Sequence, residues 1–396
     1  MSRNRIRIIF EYITIIFIIL ESASVYAASM KQVSLITLPA MISLSVLCLM
    51  NLNNSRSPLD GKKLCLFSLC FLFNAIILLL NVSDVYKIGL VVHIFLIFPL
   101  LIFYFATIPP YKDRMAIMHA GVNVMIVEGL ISVFFYLFAS VLGIIQPTGS
   151  IHVNWGSLGF IPSYYNIYFA GQWMRNCGIF TEAPMHNYVL STMLLFEVFV
   201  NKKFKIWKIV VLMIAIATTT TTTGQLVLVS CLIFILYQKW NHLKGGLKAL
   251  FFLVLFCACI AGYAFVESTM QLKKETDSYN TRSEFLVQSF DTFLSHPLFG
   301  TGYNSNTIGN SNSIATLLAD GGLHLFTLYI FPLLLLPIAN YLQDKNKNYL
   351  FATFIYFGVF CITVVLYQSL TFLVMAIPLS ILIRKKQRTT QVDLSK

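Results

Sequence analysis

Uninterrupted apolar runs dominate this chain, many close to the 18 or more residues that a helix needs to cross a hydrocarbon core of about 30 Å. They fall at residues 8–27, 33–50, 64–81, 88–108, 115–143, 186–200, 207–219, 225–238, 247–266, 313–341, 349–366 and 370–383. Continuous runs exclude a transmembrane β-barrel, whose strands alternate with a period of two. Only 11% of the 396 residues are charged and 57% are hydrophobic, whereas about a quarter of a soluble domain is charged. The expected fold class is an all-α polytopic integral membrane protein with about twelve transmembrane helices.

The net charge of +12 invites a nucleic-acid reading, but the placement of the charges argues against it. Basic residues collect in alternate gaps: Arg3, Arg5 and Arg7; Arg56, Lys62 and Lys63; Lys112 and Arg114; Lys202, Lys203, Lys205 and Lys208; Lys239, Lys244 and Lys248; Lys345 and Lys347; Arg384, Lys385, Lys386 and Arg388. The remaining gaps are neutral or acidic. This positive-inside pattern places both termini in the cytoplasm, so the charge reports topology and implies no nucleic-acid partner. Val25-Tyr26-Ala27 resembles a signal cleavage site, but Glu11 sits badly in the apolar part of a signal peptide, and the first span is expected to be retained. The eight cysteines show no metal-ligand spacing, and only Cys177 falls in a large outer loop, where it has no disulfide partner.

The topology divides the chain into transmembrane helices 1–5 (residues 1–143), a first large outer loop (144–185), helices 6–9 (186–266), a second large outer loop (267–312), and helices 10–12 with a cytoplasmic tail (313–396). The inner loops are too short for a nucleotide-binding domain, and the phosphate-binding pattern G-x-x-x-x-G-K-[ST] does not occur. Within the third region, residues 207–219 and 225–238 flank Thr218–Thr223 and Gly224. Arms this short span only about 20 Å, which predicts a hairpin holding six hydroxyls beneath the outer surface. Those hydroxyls either line a substrate site or bond back to their own carbonyls.

Both outer loops carry residues suited to chemistry. The first ends in Arg175-Asn176-Cys177-Gly178-Ile179-Phe180-Thr181-Glu182-Ala183-Pro184-Met185-His186. A guanidinium is always charged and forks onto two oxygens, which suits a diphosphate. Glu182 either serves as a base or holds Arg175 in an ion pair. In the second loop, Arg282 opens an amphipathic stretch expected to lie along the membrane interface. His296-Pro297 ends it, and Gly300 and Gly302 permit a tight turn. Glu128, Glu197 and Asp320 lie within or at the ends of spans, where acids are functional candidates by default, although snorkelling toward the inner lysines accounts for Glu197.

Three motifs in this order resemble the O-antigen ligase/polymerase superfamily, and the capsular and O-antigen polysaccharide polymerases within it. They are R-x-x-G-I-F-x-E-x-P at Arg175–Pro184, the threonine run ending in Gly224, and the tract from Arg282 through His296-Pro297-Leu298-Phe299-Gly300-Thr301-Gly302, followed by Asn312 to Leu323. The resemblance begins near Arg175; earlier spans match only as generic hydrophobic segments. It implies a GT-C-like membrane glycosyltransferase that joins undecaprenyl-diphosphate-linked repeat units of O-antigen, capsule or exopolysaccharide at the outer face of the bacterial inner membrane. No metal or other cofactor is implied. The implied partners are the lipid-linked oligosaccharide, membrane lipids, a flippase and a chain-length regulator.

On this resemblance Arg175 and Arg282 bind the diphosphate, with Thr222, Thr223, Asn304 and Asn312 as further substrate-binding residues. Glu182 and His186 are the candidates for the catalytic base. The chain departs from the ligases in having Ser311-Asn312 where they place a histidine before the asparagine, and Gly224-Gln225 where they commonly place an arginine. These departures favour a polymerase over a ligase. The other alternative is a lipid-linked oligosaccharide flippase, which predicts broken spans with midplane polar groups in both halves of the chain.

Overall fold

A computed structural model describes residues 3–29, 34–53, 59–81, 89, 91–109, 112–155, 158–164, 167–168, 175–239, 245–246, 277–303, 305, 312–344 and 347–385. The expected span 247–266, the loop start at 267–276, Asn304 and Ser311 lie outside the described residues.

Helices make up most of the regular structure: α1 Arg3–Glu21, α2 Val25–Ser29, α3 Ser34–Leu52, α4 Gly61–Leu80, α5 Phe98–Thr107, α6 Ala116–Phe135, α7 Ala183–Leu195, α8 Ile206–Thr218, α9 Thr222–Lys239, α10 Asp277–Ser295, α11 Ser313–Ile330, α12 Leu336–Asp344, α13 Lys347–Ile362 and α14 Ser369–Leu382. Among the described residues, three helical stretches are long and apolar enough to cross a membrane, at Gly61–Leu80, Ala116–Val141 and Ser313–Leu342. Several shorter apolar helices pack with them. The core is continuous from Ile15, Ile18 and Ile19 on α1 through Leu101, Met193 and Leu212 to Phe372. Side chains facing away from it, such as Leu66, Leu69 and Phe73 on α4, are exposed, as expected where lipid is the solvent.

The all-helical expectation needs one correction. The first outer loop contains a small antiparallel sheet, β1 Gly149–Trp155, β2 Leu158–Tyr164 and β3 Ile167–Tyr168, in the order β1-β2-β3. Ile151 pairs with Ile161, and Trp155 with Leu158. The sequence between that last pair is Gly156-Ser157, a two-residue hairpin signal. Val153, Ile161 and Tyr168 bury one face against Val25 and Ala183, while His152 and Phe160 point outward. The sheet thereby seats on α2 and the start of α7.

Helix α11 is broken at Gly322, whose backbone (φ 57°, ψ −154°) is not helical. A break exposes carbonyl and amide groups that lipid cannot satisfy, so such backbone must be buried in protein. Here the turn after α10 satisfies them. Thr301 N donates to Ala319 O (2.9 Å), Gly302 N to Asp320 O (2.8 Å), Leu323 N to Pro297 O (2.9 Å) and His324 N to Leu298 O (3.1 Å). The His296–Gly302 motif is thus the hydrogen-bonding partner of the broken helix. Gly300 has φ +61°, and a Cβ there would collide with the Ala319 carbonyl oxygen. Gly300→Ala is therefore expected to lower stability by about 2 kcal/mol or more, read as a lower thermal unfolding midpoint in detergent; an unchanged midpoint would show that the turn does not need this approach.

Candidate functional site

The Arg175–Glu182 segment is held at nearly every residue. Asn176 donates from its backbone N to Thr218 O (3.0 Å) and from Nδ2 to Thr218 Oγ1 (3.0 Å) and Ser132 Oγ (3.2 Å); its Oδ1 accepts from Gly178 N (3.0 Å). That last bond closes an Asx-type turn. Gly178 has φ +55°, and a Cβ there would strike Glu128 Oε1 and His186. Beyond the turn, Val25 N donates to Ile179 O (2.9 Å) and Thr181 N to Ala23 O (3.1 Å). The end of the first span is therefore part of the site's scaffold, a role that its generic hydrophobic sequence does not announce.

Glu182 occupies the N-cap position of α7 in extended backbone, yet its side chain makes no capping bond. The carboxylate instead lies within electrostatic reach of Arg282 and Arg175. Burial pushes its pKa upward; Arg282 and then Arg175 pull it down without cancelling that push. Arg175 is half-buried and donates from Nε to Thr219 O (3.4 Å), while Arg282 is exposed on α10. Three residues from two distant loops thus share one neighbourhood beside the threonine turn.

In that turn most hydroxyls point back into the fold. Thr218 Oγ1 donates to Ala215 O (2.7 Å), Thr219 Oγ1 to Ile216 O (2.7 Å), and Thr221 Oγ1 accepts from Gly224 N (3.1 Å). Thr223 is buried, its Oγ1 accepting from Asn187 Nδ2 (3.0 Å), and Thr222 is half-buried. Thr220 is exposed and adopts φ 49°, an uncommon conformation for a β-branched residue. The turn supplies carbonyls and hydroxyls that anchor Arg175 and Asn176 more than free groups for a ligand.

His186 is fully buried, with Nε2 2.8 Å from Glu128 Oε2 and Nδ1 3.2 Å from Asn176 O, and its ring stacks on Phe180. With both nitrogens engaged and no exposed surface, it braces the Asn176–Phe180 turn in this conformation. Asn312 is the N-cap of α11, its Oδ1 accepting from Ala315 N (2.9 Å). Glu197, expected to snorkel, is instead fully buried and accepts from Asn201 Nδ2 (2.7 Å) and Lys205 N (3.0 Å), closing the loop before α8. Asp320 accepts from Tyr367 OH (2.5 Å) and Ser305 Oγ (3.1 Å) beside the α11 break.

One further buried cluster had only a faint sequence signal. Glu21 meets His93 Nε2 (2.8 Å) and accepts from Ser369 N (2.8 Å), tying α1 to α14. A lone histidine in Val-Val-His-Ile-Phe is the kind of intramembrane ionisable residue that carries a partner, but its partner lies 72 residues away.

These features define a polytopic helical membrane protein with a cationic and acidic site at one end of its bundle. Residues 207–331, about a third of the chain, match the family model described as O-antigen ligase, in line with the superfamily that the motifs resemble. The match takes in the threonine turn, Arg282 and the broken helix, and does not reach Arg175 or Glu182. No curated protein and no solved structure matches the chain.

Replacing His186 by Leu leaves the Glu128 carboxyl buried without its partner. A loss of about 3 kcal/mol is expected, seen as a lower unfolding midpoint. If His186→Leu unfolds as wild type does, the bracing role is lost.

Proposed function

We propose that the chain is a polysaccharide polymerase that joins undecaprenyl-diphosphate-linked repeat units at the outer face of the bacterial inner membrane, using no metal. What supports this reading is that Arg282 and Arg175 both act electrostatically on the partly buried Glu182 carboxylate. Two guanidiniums suit a diphosphate leaving group, and a carboxylate whose proton affinity is raised suits a general base near neutral pH. In the reaction, an acceptor sugar hydroxyl attacks the anomeric carbon of the donor glycan. The new C–O bond forms as the bond from that carbon to the phosphate oxygen breaks, and the lipid diphosphate departs with the electron pair. Glu182 takes the hydroxyl proton, while Arg175 and Arg282 stabilise the charge growing on the leaving group. The broken helix and its docked turn fix the geometry in which α10 delivers Arg282. The match of residues 207–331 to a family described as O-antigen ligase supports ligase activity as a second reading; the serine in place of the ligases' histidine before Asn312 favours the polymerase.

Deletion of the gene is expected to leave lipid-linked single repeat units and no long chains on a glycan gel. Wild type should restore the chains, and Arg175→Ala or Arg282→Ala should not; normal chain length in the deletion strain would sink the proposal.

Glu182→Gln is expected to slow turnover by about 10²- to 10⁴-fold. The base acts only when deprotonated, so the wild-type rate should rise with pH through its raised titration. Arg282 pulls that titration down, so Arg282→Gln should move the rising limb toward higher pH. A limb that stays put, or moves to lower pH, would remove Glu182 from the role of base.

A further inference from the structure

Two arginines hydrogen-bond around the ends of α5 and α14, and neither has a carboxylate partner among the described residues. Arg114, in the link between α5 and α6, donates from Nη2 to Ser380 Oγ (2.5 Å) and Ile377 O (3.3 Å), and its Nε is buried with no partner among the described residues. Arg384, just past α14, donates from Nη1 to the carbonyls of Phe105 (3.0 Å), Ala106 (3.3 Å) and Ile108 (3.1 Å). The two guanidiniums feel each other; burial, and then that repulsion, push Arg114 down to about 10. Lys63 Nζ donates to Arg384 O (3.3 Å), and Asp60 N to Ile383 O (3.0 Å), which brings the start of α4 to the same place.

The two nearby acids are otherwise engaged. Asp60 caps α4 and lies 3.9 Å from Lys63, and Asp113 pairs with His119 at 3.2 Å. Among the described residues neither arginine has a carboxylate partner. Like charges held together in a partly buried site are costly unless an anion joins them. The site is far from Glu182: α6 starts two residues after Arg114, and Ser132, which contacts Asn176, lies 16 residues further along it, about 24 Å away.

Directly along the bundle from these cations is an apolar cavity of about 450 Å³, lined in part by Phe67, Phe71, Leu78, Leu325, Leu379 and Leu382. Phe67 is one helical turn from Lys63, and Leu382 is two residues before Arg384. The cavity and the basic cluster thus share α4 and the end of α14.

We propose that this is a binding site for an anionic phospholipid of the leaflet opposite the Glu182 site, with its phosphate on Arg114 and Arg384 and an acyl chain in the cavity. A phosphate accepts the forked donors of a guanidinium, and basic pockets between membrane helices recognise anionic headgroups. The placement is independent of the reaction at Glu182.

The test uses the full chain in nanodiscs of phosphatidylcholine with or without phosphatidylglycerol, reading the unfolding midpoint and, by native mass spectrometry, the lipid retained. Phosphatidylglycerol should raise the wild-type midpoint and be retained. The double variant Arg114→Gln/Arg384→Gln should retain it about 30-fold more weakly. Lys63→Gln, at a more exposed position, should weaken retention about fivefold. Ala75→Phe, which fills the cavity and leaves every cation in place, should also reduce retention. A midpoint indifferent to phosphatidylglycerol would overturn the proposal, as would unchanged retention in both Lys63→Gln and Ala75→Phe. It also fails if inorganic phosphate alone reproduces the stabilisation, which would mark a free-anion site. A polyprenyl diphosphate retained in place of phosphatidylglycerol would assign the cavity to the substrate.

Discussion

Backbone satisfaction at the break in α11 is the constraint on which the rest of the arrangement depends. A helix interrupted inside an apolar bundle leaves amides and carbonyls that neither lipid nor apolar side chains can pair. The turn from Pro297 to Gly302 pairs with two carbonyls before the break and two amides after it. This contact fixes the end of α10 against α11, and α10 carries Arg282. A Pro/Gly-rich loop thereby becomes a rigid support, and a guanidinium 38 residues before Asp320 acquires a defined position near Glu182.

A parallel logic holds the other half of the site. Asn176 bonds the threonine turn, Gly178 makes room for Glu128 and His186, and Ala23 with Val25 bonds the strand-like stretch at Ile179–Thr181. Each of these contacts is a backbone or short-side-chain interaction that tolerates little displacement. The Glu182 side chain makes no capping bond in this network. Its carboxylate caps no helix and is governed by burial and by two arginines.

The helical membrane body was legible because apolar run length is a direct consequence of the solvent. The break between two helices at the threonine run was legible for the same reason, although α9 runs from Thr222 to Lys239, longer than the expected arm. The β1–β3 sheet leaves its signal in the period of the long outer loop and not in its charges: Ile151, His152 and Val153 alternate as a half-buried strand should. At Glu197, a nearby lysine-rich loop suggests snorkelling, whereas burial and the bond it accepts from the Lys205 amide decide its place. Thr223, His186 and Asn312 show a more general limit. A polar residue type in a motif announces hydrogen-bonding capacity, but only the fold decides whether that capacity is turned inward. Glu21–His93 and Glu128–His186 were beyond reach because each joins segments 58 or more residues apart.

The balance at Glu182 has a consequence for the proposed reaction. Burial disfavours its charged form, while Arg282 and Arg175 favour it. A diphosphate bound to both guanidiniums would neutralise the very charges that hold the proton affinity down, and would add negative charge nearby. Donor binding should therefore make Glu182 a stronger base than it is in the empty site. The carboxylate would take up a hydroxyl proton most readily when the electrophile is in place, and least readily when only water is present. Two arginines and one carboxylate would in this way couple leaving-group recognition to base strength, with no moving part other than the substrate.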